Sequence, residues 1–162
     1  MPDSDEPLPA SGAQQHYRAL ERLYASAPVN AKFASVLHIP AEGRSRLTFT
    51  VSPEDYHAAG AAHGTIYFKM LDDAAFYAAN SLVTDRFLLT TGFNLFFTKP
   101  VRAGTVTAEG HWVSGRRRVF VAEARLVDAE GEEIGRGTGT FMKSRIPLSG
   151  LPGYASGGPS GL

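Results

Sequence analysis

Apolar residues recur at helical spacing in some segments of the chain and alternate as in strands in others. These two patterns divide the chain into predicted helices and strands. The segment "QQHYRALERLYASAP" places Tyr17, Leu20 and Tyr24 on one helical face, and its final proline marks the end of this predicted helix. The segments "KFASVLHI" and "RSRLTFTV" are typical of two short strands joined by a turn. From Gly64 to about Leu82 the pattern is apolar on nearly every side, which predicts a long helix surrounded by other structure.

Four more segments after this helix have the composition of strands. They are "RFLLTTGFNLFFTKP", "TVTAEGHWVSG", "RVFVAEARLVDAEG" and "EIGRGTGTFMKS", and the short turns between them favour antiparallel hairpins. Gly135, Gly137 and Gly139 share one face of the last strand and allow another group to approach it closely. The order predicts an α+β fold in which an antiparallel sheet of five or six strands wraps around one long central helix.

The length of 162 residues is enough for one domain with a real core and too short to favour two. We expect this domain to span residues 15–146. Residues 1–14 and 147–162 are rich in Pro, Gly and Ser, so we predict mobile tails there.

The charge and composition exclude several classes of function. Sixteen basic and sixteen acidic residues balance, so no global field draws the chain to nucleic acid or to an anionic membrane. The chain has no cysteine, which excludes disulfides, thiolate metal sites and a cysteine nucleophile. Its start lacks the features of a secretory signal, and its longest apolar stretch is well under the roughly 20 residues that span a bilayer. We therefore expect a cytoplasmic protein.

Asp72 is the most unusual residue of the predicted central helix. At helical spacing its neighbours include Phe68 and Phe76, so its carboxylate lies on an apolar face. Asp73 faces another side, where Lys69 is one turn away and is expected to pair with it. A carboxylate on an apolar face is costly unless it is hydrogen-bonded or used in chemistry, and the pattern leaves both readings of Asp72 open.

The residues before this helix favour a chemical role. Gly64 stands at the expected helix start, where free backbone amides and the positive end of the helix dipole receive negative charge. One helix therefore offers an oxyanion donor at its first turn and the Asp72 carboxylate about two turns later. These are groups suited to acyl transfer.

The spacing of these residues resembles the motif of hotdog-fold acyl-CoA thioesterases of the phenylacetate-pathway type. In that motif a polar residue, usually Asn, precedes Gly by three positions, His-Gly-Gly begins three positions later, and an acid follows this His by nine. The chain has His57, Gly60, residues 63–65 as His-Gly-Thr, and Asp72 at these spacings. Thr90 matches a Ser or Thr that family members often carry eighteen residues past the acid.

The resemblance implies a hotdog fold and hydrolysis of acyl-CoA without a metal or redox cofactor. The Gly64 N–H would polarise the thioester carbonyl, and Asp72 would act as general base or as nucleophile. His57 would orient the water or the thioester, and Thr90 would hydrogen-bond the water or the carboxylate. The resemblance also implies a homodimer whose sites are shared between subunits, with dimers pairing into tetramers.

Two departures from the motif affect the expected chemistry. His57 replaces the usual Asn and, unlike an amide, can transfer protons. Thr65 replaces the second glycine, where it either narrows the acyl pocket or hydrogen-bonds locally. His63 is a candidate substrate-binding residue, although its place just before the helix favours a role in the geometry of the turn.

Three further arginines, Arg116, Arg117 and Arg118, are grouped at a predicted hairpin. They have the chemistry to bind the phosphates of CoA, and the alternative is a solvated strand edge protected by charge. The remaining histidines lack the spacing of a metal site.

Two other functions remain open on the sequence. A hotdog hydratase or dehydratase would use His57 and Asp72 as its catalytic pair. A non-catalytic acyl-CoA-binding protein would keep the pocket without the chemistry.

Overall fold

The computed structural model describes residues 11–155, which form one six-stranded antiparallel sheet and three helices. The helices are α1 (Gly12–Ser26), α2 (Gly64–Asn80) and α3 (Pro152–Ala155), and the strands are β1 (Val36–Ala41), β2 (Arg44–Val51), β3 (Arg86–Phe97), β4 (Gly104–Ser114), β5 (Val119–Val127) and β6 (Glu133–Pro147). The strand order is β1-β2-β4-β5-β6-β3. The predicted hotdog arrangement, a sheet curved around one long helix, is confirmed.

The helix α2 packs directly against the middle of the sheet. A Cβ atom on Gly110 of β4 would overlap the backbone carbonyl of Ala74, so only glycine allows this approach. The Ser45 hydroxyl of β2 donates a hydrogen bond to the same Ala74 carbonyl. The close contact explains why small side chains dominate this part of α2, where Ala74, Ala75, Ala78 and Ala79 are fully buried.

The glycines of β6 make room for an aromatic ring. A Cβ on Gly137 or Gly139 would collide with the Phe93 ring from the adjacent strand β3. The prediction that this face is approached closely is thus confirmed. The Phe93 ring in turn packs edge-on against Phe68 of α2, at 5.6 Å between ring centroids.

The helix α1 packs beside α2 and shields part of it from solvent. Tyr24 of α1 packs edge-on against Tyr77 of α2, with ring centroids 5.4 Å apart. The buried His16 ring bonds the Asn80 carbonyl through Nε2 at 3.0 Å and the Tyr154 hydroxyl of α3 through Nδ1 at 2.8 Å. The residues predicted for the buried face of α1 are confirmed, because Tyr17, Leu20 and Tyr24 are all buried.

A buried amide fixes the strand that follows α2. The Asn80 side chain donates to the carbonyls of Val83 and Arg86, and its Oδ1 accepts from the Leu88 N–H at 2.9 Å. These three bonds hold the start of β3 against the end of α2. They place Thr90, two residues beyond Leu88, beside the middle of the helix.

The first and last helices extend beyond residues 15–146, which were predicted for the domain. The helix α1 begins at Gly12, because Ser11 and Gln14 form a reciprocal capping box, and α3 lies within the segment expected as a C-terminal tail. The other predicted tail residues, 1–10 and 156–162, lie outside the described part. No helix within residues 11–155 is long and apolar enough to cross a membrane, and a cytoplasmic location stays a prediction.

Candidate active site

The loop before α2 orients His57. Gly60 adopts a positive φ of 83°, and its N–H donates to the His57 carbonyl at 3.0 Å, which closes a tight turn. Within this turn the Ala59 N–H donates to Nδ1 of His57 at 3.0 Å. A ring that accepts at Nδ1 carries its proton on Nε2. The exposed His57 ring therefore presents an N–H donor, as an amide would.

The first turn of α2 leaves one backbone donor free. His63 is the N-cap, and its Nδ1 accepts from the Thr65 N–H at 3.0 Å and lies 3.0 Å from the Thr65 hydroxyl. The Gly64 N–H has no hydrogen-bond partner within residues 11–155. A Cβ on Gly64 would come within 3.1 Å of the Phe97 ring. The preferred structural reading of His63 agrees with this geometry, and Thr65 bonds locally.

A cavity of about 540 Å³ opens in front of this turn. Its walls come from the loop, from the start of α2 and from the end of β3, and the lining residues are His57, Ala62, His63, Gly64, Tyr67, Phe97, Thr98, Lys99 and Pro100. The Tyr67 hydroxyl donates to the Lys99 carbonyl at 2.6 Å, which holds the wall together. The cavity joins three predicted site residues, His57, His63 and Gly64.

Asp72 lies in a different, smaller cavity of about 240 Å³. The Thr90 hydroxyl donates to its Oδ1 at 3.0 Å, and the apolar walls include Phe76, Phe87 and Leu89. Burial raises the pKa of Asp72 to about 6, while the Thr90 hydrogen bond opposes this rise. A carboxylate with this pKa is mostly ionised at neutral pH and is more basic than an ordinary aspartate. The predicted partnership of Asp72 with Thr90 is geometrically present.

Asp73 has a structural role. Its Oδ2 lies 2.6 Å from Nζ of Lys69, one turn earlier on α2, so the predicted ion pair is confirmed. The ammonium group also lies over the rings of Tyr24 and Phe33, at 5.4 and 5.3 Å from their centroids. Burial raises the pKa of Asp73, and the Lys69 charge opposes that effect.

Within one chain, Gly64 and Asp72 do not lie together. Gly64 and Asp72 are separated by eight residues of α2, which is about 12 Å along the axis. They open into separate cavities. The strand β3, which carries Thr90, is an edge strand of the sheet and leaves Leu89, Phe96 and Phe97 about half exposed.

The three arginines lie far from Gly64. The turn between β4 and β5 carries them, and Arg116 stacks over the Trp112 ring at 4.4 Å. The backbone N–H of Trp112 donates to the Gly43 carbonyl, and the Gly43 N–H donates to the hydroxyl of Ser81 just beyond the end of α2. The cluster is therefore at the opposite end of α2 from the helix start.

The other histidines have structural partners. His38 lies 3.2 Å from Glu21, and His111 lies 2.8 Å from Glu123. Within residues 11–155, no group of three His, Asp or Glu side chains could hold a metal ion.

The sequence did not reveal several residues that line the two cavities. Tyr67 and Phe97 lie beside Gly64, whereas Tyr77 and Phe87 lie beside Asp72. Their apolar periodicity is the same as that of core residues, so no sequence feature distinguished them. Tyr77 in particular falls on the Asp73 side of an ideal helix.

Known proteins resemble this chain in sequence and fold. A family model described as the thioesterase superfamily matches residues 59–134, which include Gly64, Asp72 and Thr90. A Saccharolobus solfataricus protein named as an esterase is 27% identical over 104 residues, 64% of this chain and 69% of that protein.

Two solved structures have the same architecture. The E. coli PaaI protein from the phenylacetic acid degradation operon has a TM-score of 0.77 at 19% identity, covering 85% of this chain and 99% of that one. A thioesterase family protein from Silicibacter pomeroyi has a TM-score of 0.71 at 29% identity, covering 81% and 97% of the two chains.

Proposed function

We propose that this chain is a hotdog-fold thioesterase that hydrolyses an acyl-CoA thioester to the free acid and CoA, because residues 59–134 match the model of the thioesterase superfamily and the fold is similar to that of solved proteins such as the thioesterase family protein from Silicibacter pomeroyi. The family supports thioester hydrolysis in general terms, and the relative named as an esterase agrees with a hydrolase. The observation that carries the finer proposal is the pairing of a free helix-start amide with a desolvated carboxylate on the same helix.

Each group has a defined part in the reaction. The Gly64 N–H hydrogen-bonds the thioester oxygen, where negative charge develops as the carbonyl carbon is attacked. Asp72 either takes a proton from the attacking water or attacks the carbonyl itself. In both routes a C–O bond forms as the C–S bond breaks, and the thiolate of CoA leaves and is protonated. When Asp72 is the nucleophile, the new bond is that of a mixed anhydride, and water then cleaves this anhydride to release the free acid and restore the carboxylate. The hydrogen bond from Thr90 holds the Asp72 carboxylate in position.

The orientation of His57 supports hydrolysis over hydration. Its Nδ1 is occupied by the Ala59 N–H, so the ring presents Nε2–H as a donor to the water or thioester. A hydratase base would need an unprotonated nitrogen facing the substrate. This geometry supports a role for His57 as a hydrogen-bond donor in place of the amide of the family motif.

The complete site requires two copies of the chain. The free edge of β3 carries exposed apolar side chains, which an edge-to-edge pairing of two β3 strands would cover. Such a pairing would bring Asp72 and Thr90 of one copy toward the helix start of the other. Pairing of these dimers into tetramers stays a prediction.

Two measurements test this proposal. The first is a screen of acyl-CoA thioesters for thiol release, run beside an enoyl-CoA hydration assay, and we expect thiol release without hydration. Hydration without thiol release would support the hydratase, and binding of acyl-CoA without either reaction would support the non-catalytic alternative.

The second measurement tests the shared site by mixing two variants of strongly reduced activity, Asp72→Asn and His57→Ala. In a mixed dimer one site carries both substitutions and the other carries neither, so random subunit exchange should restore about a quarter of the sites. A site contained within one chain would show no recovery, because each chain would still lack one group. Mixing each variant with itself is the control.

A further inference from the structure

A third cavity, of about 450 Å³, lies between the end of α1, the end of β6 and α3. We call it the α1–α3 cavity. Its lining is mainly apolar and includes Leu23, Pro28, Phe87, Ile146 and Leu151. Its volume falls within the range of roughly 300 to 1,000 Å³ that is typical of small-molecule sites.

The α1–α3 cavity adjoins the cavity that contains Asp72. Tyr77 of α2 and Phe87 of β3 line both spaces and form the wall between them. Phe87 is only half-buried and packs against Phe76, with ring centroids 5.1 Å apart. A ligand that binds beside Asp72 and extends past these two rings therefore reaches the α1–α3 cavity and stays in contact with the protein along its length.

The hydroxyl of Tyr77 has no hydrogen-bond partner within the described residues. Its ring contacts Tyr24 and Phe76 at 5.4 and 4.9 Å between centroids, and these are aromatic contacts only. The residue as a whole is 6% exposed, and it lines both cavities. Burial, followed by the nearby Asp73 charge, raises the pKa of Tyr77, and the hydroxyl stays a donor. Its oxygen is not among the unpaired side-chain atoms that are shut off from solvent within the described residues, so the hydroxyl is available to donate to water or to a ligand oxygen in the cavities that Tyr77 lines.

We propose that the α1–α3 cavity holds the distal part of the acyl group, and that the substrates are CoA esters of long or bulky, mainly apolar acids. This inference rests on the proposed thioesterase function. The thioester lies beside Asp72, the acyl group passes Tyr77 and Phe87, and its far end contacts Leu23, Ile146 and Leu151. Tyr77 donates a hydrogen bond to an oxygen substituent of the acyl group.

The opposite orientation of the substrate is less favourable. The cavity in front of the Gly64 turn contains the polar groups of His57, Thr98 and Lys99, whereas the α1–α3 cavity offers mainly apolar walls. The polar pantetheine and nucleotide of CoA would lose their hydration in the apolar cavity without compensating hydrogen bonds. An apolar acyl group has no hydrogen bonds with water to lose there, and its burial against apolar walls is favourable.

Filling the cavity tests the proposal. Leu151→Trp should lower the ratio of kcat/KM for dodecanoyl-CoA to that for butanoyl-CoA by about tenfold or more, on the scale by which apolar pockets discriminate. Ile146→Trp adds the same bulk from another element, which keeps the test informative if one variant does not fold. Val29→Trp is the matched control, because Val29 is 53% exposed on the turn after α1 and does not line the cavity.

The outcomes separate the two proposals. If the wild type releases thiol and both cavity variants keep its chain-length ratio, the acyl assignment is wrong although the thioesterase function stands. If the wild type releases no thiol from any ester, the proposed function itself fails. A second comparison uses Tyr77→Phe on hydroxydodecanoyl-CoA esters and on dodecanoyl-CoA. We expect a selective loss of about tenfold on at least one hydroxylated ester, and equal changes on all of them would exclude the hydrogen bond from Tyr77.

Discussion

The hydroxyl of Thr90 donates a 3.0 Å hydrogen bond to Oδ1 of Asp72, and it is the contact that most directly opposes the effect of burial on this carboxylate. The two residues lie on different elements, α2 and β3. Asn80 joins those elements through three hydrogen bonds to the start of β3. Asn80, about two helical turns from Asp72, therefore helps to position Thr90, and the hydrogen bond from Thr90 in turn lowers the pKa of Asp72.

Removing this hydrogen bond should change the pH dependence of the reaction. The folded pKa of Asp72 is raised to about 6, so the active ionised form is lost as the pH falls through that value. Thr90→Val removes a contact that lowers this pKa, so the acidic limb of kcat/KM should move to higher pH. A hydrogen bond to a charge is worth about 1.5 kcal/mol or more, which corresponds to about one pH unit.

The control for this pH profile is Thr91→Val. The Thr91 hydroxyl bonds the carbonyl and the hydroxyl of Thr140 rather than Asp72. Its profile should match that of the wild type. A limb that moves equally in both variants would show that Thr90 does not tune the carboxylate.

The adjacent acids should have opposite phenotypes. Asp72→Asn should lower kcat by about 10² to 10⁴, the usual contribution of a positioned base, while the fold persists. Asp73→Asn should retain most of its turnover but unfold at a lower temperature, because it leaves the Lys69 ammonium without its partner at 2.6 Å. Turnover rates and thermal unfolding of both variants check this. Loss of turnover in Asp73→Asn alone would reverse the assignment.

The donor role of His57 predicts that an amide can replace it. His57→Asn should keep much of the hydrolysis, whereas His57→Ala should lose about 2–4 kcal/mol of transition-state stabilisation. If the ring instead transfers a proton, Asn cannot substitute for it, and His57→Asn should lose as much activity as His57→Ala. Steady-state rates of both variants distinguish these cases. His38→Asn, an exposed position on β1, is the control.

The arginine cluster gives a prediction about the nucleotide of CoA. Changing Arg116, Arg117 and Arg118 to Gln should raise KM for CoA esters more than for pantetheine esters that lack the nucleotide phosphates. Changing Arg44, Arg46 and Arg125 to Gln, on the outer face of the sheet, alters the net charge equally and is the control. Equal effects on both classes of ester would identify the cluster as a structural strand edge.

The order of elements and the local chemistry of the motif could be read from the sequence. Helical periodicity placed Asp72 on an apolar face and paired Asp73 with Lys69, and turn composition placed the strands. These features depend on residues close together in the chain, where the geometry of a helix or a strand fixes which side chains are neighbours. The spacing of Gly64 and Asp72 on one helix follows from the same regularity.

Only the tertiary structure decided which surroundings these groups have. The Phe97 ring beside Gly64 and the shared wall formed by Tyr77 and Phe87 bring together residues that are distant in sequence. The apolar pattern of such residues is the same whether they fill a core or line a cavity. The sequence determined the candidate reactive groups through local spacing, whereas long-range packing decided the desolvation of Asp72, its hydrogen bond from Thr90 and the shape of the cavities.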